Sequence, residues 1–151
     1  MKKFITILFF VFGFAGISFA EVTPVTAEKA AADLKKDLKI VVVDLRTPEE
    51  FGAGHLAKAV NVNFFSEDFE KELAKLDRTK TYVMHCKSGG RSTQSLAIWE
   101  KLGFPKVLHL DTGVLGWQKA GFKLVVPVKE KAKSKEKAGQ KLVAPDPKKK
   151  K

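Results

Sequence analysis

The single cysteine of the chain, Cys86, begins a glycine-rich segment with the sequence Cys86-Lys87-Ser88-Gly89-Gly90-Arg91-Ser92. An apolar run typical of a strand precedes this segment, and a run typical of a helix follows it. The N–H groups of such a turn can converge on the sulfur, and the helix N-terminus adds partial positive charge. Both effects favour the thiolate, which is the reactive form of cysteine. The segment therefore predicts a nucleophilic thiol rather than a cysteine that only fills the core.

Other residues of this segment suit an anionic substrate. The N–H groups of residues 87–92 can form a cradle, and Gly89 and Gly90 allow backbone angles that a side chain would obstruct. Lys87 is the candidate electrostatic contact for an anion, with a solvated loop lysine as the alternative. Ser88 and Ser92 can donate hydroxyl hydrogen bonds to the site, or serve only as turn and cap residues.

Charged residues outside the segment are candidates for holding it in place. Asp44 ends a second apolar run, so in a parallel sheet it lies at the same edge as Cys86. We expect Arg91 to brace the loop by pairing with Asp44, and direct contact with substrate is the alternative. Arg46 is a further bracing candidate at the mouth of the site, where it could instead pair with one of the glutamates that follow it.

The remaining aromatic and histidine residues have structural interpretations. His55 follows a glycine in a loop and is expected to make a structural hydrogen bond, and His85 is assigned to a strand. Trp99 and Trp117 are expected in the core. Histidine and cysteine do not occur at the spacing of metal ligands, so the sequence predicts no metal site.

Strand-like and helix-like segments alternate along the middle of the chain. The predicted order is helix 26–36, strand 40–45, helical turn 47–51, strand 59–62, helix 67–76, strand 80–85, helix 91–102, strand 107–110 and helix 114–119, with residues 122–126 closing the domain. The β-branched run at 40–45 is typical of a strand covered on both faces. This alternation predicts an α/β fold with a parallel sheet and helices on both faces.

The two ends of the chain differ in character from the middle. Residues 1–20 combine Lys2 and Lys3, an apolar run and Ser18-Phe19-Ala20, which predicts a signal peptide cleaved before Glu21 and export, to the periplasm if the source is Gram-negative. A retained anchor is the alternative, although the apolar run is shorter than the roughly 20 residues of a membrane span. Residues 21–128 form one predicted domain.

The final segment, residues 129–151, contains ten lysines against three acidic residues and is predicted to be disordered. It carries a formal charge of +7 of the chain's +11. An anionic membrane surface or an acidic protein is its expected partner, and no specific nucleic acid is expected. A merely solubilising extension is the alternative interpretation.

Three ordered stretches of the sequence resemble the signatures of the rhodanese family, the single-domain thiosulfate sulfurtransferases. They are residues 43–62 with Asp44-Leu45-Arg46 and Gly54-His55-Leu56, the loop at 86–92, and residues 110–122 with Asp111-Thr112-Gly113. The sequence departs from the family at Ala57-Lys58, where proline and glycine are usual, and at Thr112, where glycine is usual. The resemblance implies a three-layer sandwich around a mostly parallel sheet of about five strands.

The resemblance also implies a reaction. Cys86 would take the outer sulfur of thiosulfate, or of a similar small anionic donor, as a persulfide and pass it to cyanide or a thiol. The covalent persulfide is then the intermediate and no separate cofactor is expected. The alternative is a carrier or binding module that docks an exported partner through its basic tail without turning over thiosulfate.

A phosphatase is the other enzyme class that the cysteine loop suggests. His85-Cys86, four residues and Arg91 come close to the tyrosine-phosphatase signature, in which five residues separate cysteine from arginine. A shorter loop suits a sulfur-sized group on the thiol and a longer loop suits a phosphoryl group, so the residue count favours sulfur. Arsenate reduction draws on similar anion chemistry and is favoured no more than the phosphatase.

Overall fold

A computed structural model describes residues 21–126 of the chain. The predicted signal peptide and the lysine-rich tail lie outside the described residues. The elements in order are β1 (Glu21–Val25), α1 (Ala27–Lys36), β2 (Val41–Asp44), α2 (Pro48–Gly52), β3 (Val60–Asn61), α3 (Phe69–Ala74), β4 (Thr81–His85), α4 (Gly90–Lys101), β5 (Lys106–Leu110) and α5 (Gly113–Lys119). Within this stretch no helix is long and apolar enough to cross a membrane.

The five strands form one parallel sheet in the order β1-β5-β4-β2-β3. The predicted α/β fold with a parallel sheet of about five strands is confirmed. Because all strands run the same way, β2, β4 and β5 end at one edge, with Asp44 opposite His85 in the register of the sheet. This edge is where open parallel sheets carry their sites.

Strand β1 is an element that the sequence analysis missed. It pairs with β5 from Glu21↔Lys106 to Val25↔Leu110 and is an edge strand. Pro24 lies within it, and proline, which lacks an N–H donor, is tolerated in a sheet mainly at an edge. Its short sequence has no strong strand signal, so its place depends on the free edge of β5.

Apolar side chains alternate between the two faces of the sheet and form two core clusters. On β2 and β4, Val43 and Met84 face one cluster, whereas Val42 and Val83 face the other. The first cluster includes Phe69 and Leu73 of α3 and Trp99 of α4, and the second includes Ala27 and Ala30 of α1 and Val114 and Trp117 of α5. Both tryptophans are core residues, as predicted, and the helices form an outer layer on each side.

The short helix α2 is well capped for its length. Thr47 accepts a hydrogen bond from the Glu50 N–H, the Glu50 carboxylate accepts one from the Thr47 N–H, and Pro48 occupies the first turn. The predicted helical turn at 47–51 is confirmed. The cap fixes the position of Glu50, which contacts the cysteine loop.

Candidate active site

Cys86 follows β4 directly, and its side chain lies inside the loop that leads into α4. The residue is only 1% exposed. Its Sγ accepts hydrogen bonds from the Gly89 N–H at 3.2 Å and from the Ser92 hydroxyl at 3.5 Å. The sulfur is thus held by two hydrogen-bond donors at the N-terminus of α4, a 12-residue helix.

The surroundings of the sulfur favour the thiolate. Burial raises the pKa of the Cys86 thiol, but hydrogen bonds from the hydroxyl and N–H of Ser92 and from the N–H groups of Ser88 and Gly89 outweigh it. The pKa of the thiol therefore lies below its usual range. A lowered pKa in a pocket of fixed donors is what a nucleophilic cysteine requires.

Gly89 is the residue on which the loop geometry depends. Its φ is +98°, and a Cβ at this position would overlap the carbonyl oxygen of Asp111 and lie 3.0 Å from the carbonyl carbon. Gly90 is different, because a Cβ added there would meet no atom within 4 Å and the residue begins α4. The expectation that both glycines are needed for their backbone angles is wrong for Gly90.

The start of α5 closes the other side of the loop. The N–H groups of Val114 and Leu115 donate to the carbonyls of Cys86 and Lys87, both at 3.0 Å. Gly113 has a φ of +59°, and a Cβ there would lie 2.6 Å from the Cys86 carbonyl oxygen. The departure from the family pattern at Thr112 does not disturb this turn, because Thr112 adopts a right-handed helical conformation.

The loop is braced by Glu50 rather than by Asp44. Arg91 donates two hydrogen bonds to the Glu50 carboxylate, at 2.6 and 3.0 Å, so the prediction that Arg91 pairs with Asp44 is wrong. These bonds hold the pKa of Glu50 down to about 2. Glu50 can reach Arg91 because its cap with Thr47 holds the short helix α2 beside the loop.

Asp44 and Arg46 form a separate, buried pair. Arg46 donates to both carboxylate oxygens of Asp44, with its shortest bond at 2.6 Å, and also to the Gly54 carbonyl at 2.7 Å. Arg46 is 5% exposed and Asp44 is fully buried, so neither the mouth position nor the surface ion pair expected for Arg46 is found. This pair fixes the segment that leads into α2 and so supports Glu50. Asp44 and Arg46 therefore brace the cysteine loop only indirectly, through Glu50.

His85 and His55 make structural contacts in this part of the fold. His85 is fully buried, and its Nδ1 lies 3.1 Å from the Cys86 carbonyl oxygen. Burial lowers the pKa of His85, and the nearby Asp44 charge raises it by less. His55, expected to make a structural hydrogen bond, contacts the Phe51 carbonyl through Nδ1 at 3.0 Å and stacks on the Phe51 ring.

Glu50 and His109 are site residues that sequence reasoning did not identify as such. Glu50 carried a detectable signal, because glutamate three residues after Thr47 is typical of a capping box. His109 lies on β5 with Nε2 at 2.9 Å from the Ser92 hydroxyl oxygen. The sequence of β5 does not indicate which helix His109 faces, so its contact with Ser92 is visible only in the packed structure.

The opening of the site is formed by exposed side chains. Lys87 and Ser88 are exposed, and Phe65, which is 67% exposed, lies with its ring 5.5 Å from the Arg91 guanidinium carbon. Leu115 of α5 is 51% exposed, and its N–H donates to the Lys87 carbonyl. Among the described residues no group of three or more histidine, cysteine or acidic side chains is arranged to hold a metal ion.

The protein is an α/β domain with a buried, hydrogen-bonded thiol at the carboxyl edge of its parallel sheet, and comparison with known proteins gives its family. The family model of the rhodanese-like domain matches residues 26–120. The chain therefore belongs to the rhodanese-like domain family. A rhodanese-related protein of Thermoplasma volcanium has a similar structure, with a TM-score of 0.56 and 27% identity over 64% of this chain and 94% of that one.

Curated relatives point to sulfur transfer. The chain is 34% identical over 77 residues to a probable adenylyltransferase/sulfurtransferase MoeZ of Mycobacterium tuberculosis, covering 51% of this chain and 20% of that protein. It is 36% identical over 85 residues to a tRNA uridine(34) hydroxylase of Pelagibacter ubique, covering 54% and 28%. A putative sulfurtransferase of Bacillus subtilis, YtwF, is 26% identical over 95 residues, 63% of this chain and 89% of that protein.

The match covers less than a third of the first two relatives, so their complete activities do not transfer to this chain. The shared part is the rhodanese-like domain, and the family and relatives together indicate a function of the sulfur-transfer type.

Proposed function

We propose that this protein is a sulfurtransferase that moves a sulfane sulfur from thiosulfate, or a similar small anionic donor, to a thiol or cyanide. The observation that supports this most directly is the Cys86 sulfur, which accepts hydrogen bonds from Gly89 and Ser92 and has a lowered pKa. A short loop of fixed donors suits one added sulfur atom on the thiol better than a larger phosphoryl group.

The first step forms a persulfide. The Cys86 thiolate attacks the outer sulfur of thiosulfate, the new S–S bond forms, and the S–S bond of thiosulfate breaks with its electron pair leaving on sulfite. Three negative charges enter and three leave, so no proton is required. The N–H donors around Cys86 stabilise the charge that passes from the thiolate to the outer sulfur.

The second step regenerates the thiolate. Cyanide, or the thiolate of an acceptor, attacks the outer sulfur of the persulfide, and the electron pair of the broken S–S bond returns to Cys86. The products are thiocyanate or a new persulfide. The exposed rim around Lys87, Phe65 and Leu115 is the surface that an acceptor meets on its way to the sulfur.

The proposal is tested by the intact mass of the protein before and after incubation with thiosulfate. We expect a gain of about one sulfur atom that cyanide or a thiol removes, since Cys86 is the only cysteine. The Cys86→Ser variant should gain nothing. A wild-type protein with a free thiol and no mass gain would refute thiosulfate as donor, and a gain from a persulfide donor alone would favour a carrier.

Lys87 is proposed as the electrostatic contact for an anionic donor, because its charge is exposed at the rim of the loop. Lys87→Ala should raise the KM for thiosulfate, and added salt should weaken the difference from wild type. Lys39→Ala is a matched control, because Lys39 is also exposed but precedes β2 at the opposite edge of the sheet. An equal effect of both substitutions would assign the change to net charge and refute the contact.

From the sequence of the two ends of the chain we also propose that the protein is exported and that its basic tail docks to an anionic surface. N-terminal sequencing of protein produced with its leader should begin at Glu21, and a chain that retains Met1 would refute cleavage.

Deletion of residues 129–151 should preserve thiosulfate turnover and abolish binding to anionic vesicles, and retained binding would refute a docking role.

A further inference from the structure

We propose that His109 is a positioning residue for Cys86, which directs the Ser92 hydroxyl so that it donates to the sulfur when the sulfur is negatively charged. The consequence for catalysis rests on the proposed function, in which Cys86 acts as a thiolate and then as a persulfide. The contacts themselves depend only on the fold.

Ser92 stands between the histidine and the sulfur. His109 lies on β5, facing α4, and its Nε2 is 2.9 Å from the Ser92 hydroxyl oxygen. The same oxygen lies 3.5 Å from Cys86 Sγ and 2.8 Å from the Gly89 carbonyl oxygen. Ser92 is fully buried, and His109 is 5% exposed. The two side chains therefore form a buried chain of contacts that ends at the nucleophile.

The direction of the Ser92 hydroxyl depends on the proton of His109. A hydroxyl has one proton to donate, and a neutral imidazole is a donor at one nitrogen and an acceptor at the other. When Nε2 carries the proton, it donates to Ser92, and the hydroxyl proton is free for the sulfur or the Gly89 carbonyl. When Nδ1 carries it, Nε2 accepts the Ser92 proton, and the sulfur loses this donor.

The charge on the sulfur selects between these arrangements. A thiolate or persulfide attracts the Ser92 proton, so it favours the form of His109 that donates through Nε2. His109 thereby stabilises the negative sulfur without touching it. The hydroxyl is also free to return to the Gly89 carbonyl when the sulfur is uncharged, because both acceptors lie within its reach.

The burial of His109 favours its neutral form. Burial lowers its pKa, and the charge of Asp111, two residues further on, raises it by less. Its strand partners, Pro24 on β1 and Met84 on β4, carry no charge. On the α4 side the charged group near the sulfur is Arg91, whose pKa is raised by Glu50 and, to a smaller extent, by Cys86. A neutral histidine retains the choice of tautomer that this role requires.

The test is a double-mutant cycle on the pKa of Cys86. The pH dependence of its alkylation by iodoacetamide reports this pKa directly, because the chain has one cysteine. We expect Ser92→Ala and His109→Leu each to raise the pKa by about half a pH unit or more, which is about a threefold loss of thiolate. The double variant should match Ser92→Ala alone, because His109 acts through the hydroxyl.

Two further variants separate positioning from packing. The side-chain amide of His109→Gln can place an N–H near the position of Nε2, whereas the shorter amide of His109→Asn cannot. We expect Gln to restore most of the wild-type pKa and Asn to behave like Leu. This comparison also applies if His109→Leu fails to fold.

An unchanged pKa in His109→Leu, or an increase of the same size with and without the Ser92 hydroxyl, would overturn the inference. Equal behaviour of Gln and Asn would also overturn it. Alkylation needs no sulfur donor, so these outcomes are distinguishable from a failure of thiosulfate as substrate.

Discussion

Gly89 and Gly90 are adjacent, yet the structure predicts opposite effects when each is replaced by alanine. In Gly89→Ala the new methyl group would overlap the Asp111 carbonyl oxygen, and the residue would need a φ of +98° that L-amino acids rarely adopt. In Gly90→Ala the methyl group meets no atom within 4 Å, and the residue begins a helix. Gly89→Ala therefore tests the geometry of the loop, and Gly90→Ala is its matched control.

The magnitude of the Gly89→Ala effect has two sources. Backbone strain of this kind costs about 1–3 kcal/mol, and an overpacked methyl group against backbone atoms costs about 1–3 kcal/mol more. The sum, about 2–6 kcal/mol, is a large part of the 5–15 kcal/mol that typically stabilises a domain. Any relaxation of the loop would move the Gly89 N–H away from Cys86 Sγ, 3.2 Å from it at present, and so raise the pKa of the thiol.

Gly90→Ala should instead be neutral or stabilising by up to about 1 kcal/mol, because alanine favours a helix over glycine. Two measurements distinguish the variants, namely the free energy of unfolding in urea and the pH dependence of Cys86 alkylation. We expect Gly89→Ala to lower the free energy of unfolding and to shift the alkylation curve of Cys86 to higher pH. In Gly90→Ala we expect the free energy of unfolding to be unchanged or higher and the alkylation curve to be unchanged. Similar values for the two variants would refute the assignment of loop geometry to Gly89.

Two further predictions concern stability. Lys58 has a φ of +61° and an exposed side chain, so Lys58→Gly should raise the free energy of unfolding by about 0.5–1 kcal/mol, whereas Ala57→Gly, its neighbouring control, should not. A lower melting temperature for Lys58→Gly would contradict the left-handed strain. The Glu50 pair with Arg91 should contribute about 1 kcal/mol, because it is partly exposed. Since the folded pKa of Glu50 is about 2, below its ordinary 4.5, this stability is present above pH 4.5 and is lost as the pH falls towards 2. The difference between wild type and Glu50→Gln in urea unfolding should therefore shrink from pH 6 to pH 3, and a constant difference would contradict it.

Local sequence determined most of the elements and identified Cys86 as the candidate nucleophile. The pattern of apolar residues predicted β2, β4 and β5 and the helices α1, α3, α4 and α5 to within a few residues, because each of them buries apolar side chains at regular intervals. The short helix α2 buries no residue and was predicted from Thr47 and Pro48 instead. The cap at Thr47 and the glycine-rich turn after Cys86 are likewise local, since their hydrogen bonds join residues three positions apart.

The tertiary structure alone decided which side chains meet around the sulfur. Arg91 and Glu50 are 41 residues apart, and His109 and Ser92 are 17 apart, so no local period relates them. Asp44 lies at the carboxyl end of β2, as expected, but its partner is Arg46. Arg46 is two residues away, so it pairs with the buried Asp44 carboxylate at less cost in chain entropy than Arg91 could. Strand β1 likewise has its place only because β5 offers it an unpaired edge. The sequence by itself determined the periodic elements and the candidate nucleophile. The packing of distant segments decided which side chains surround its sulfur, because long-range pairs depend on how the strands are ordered.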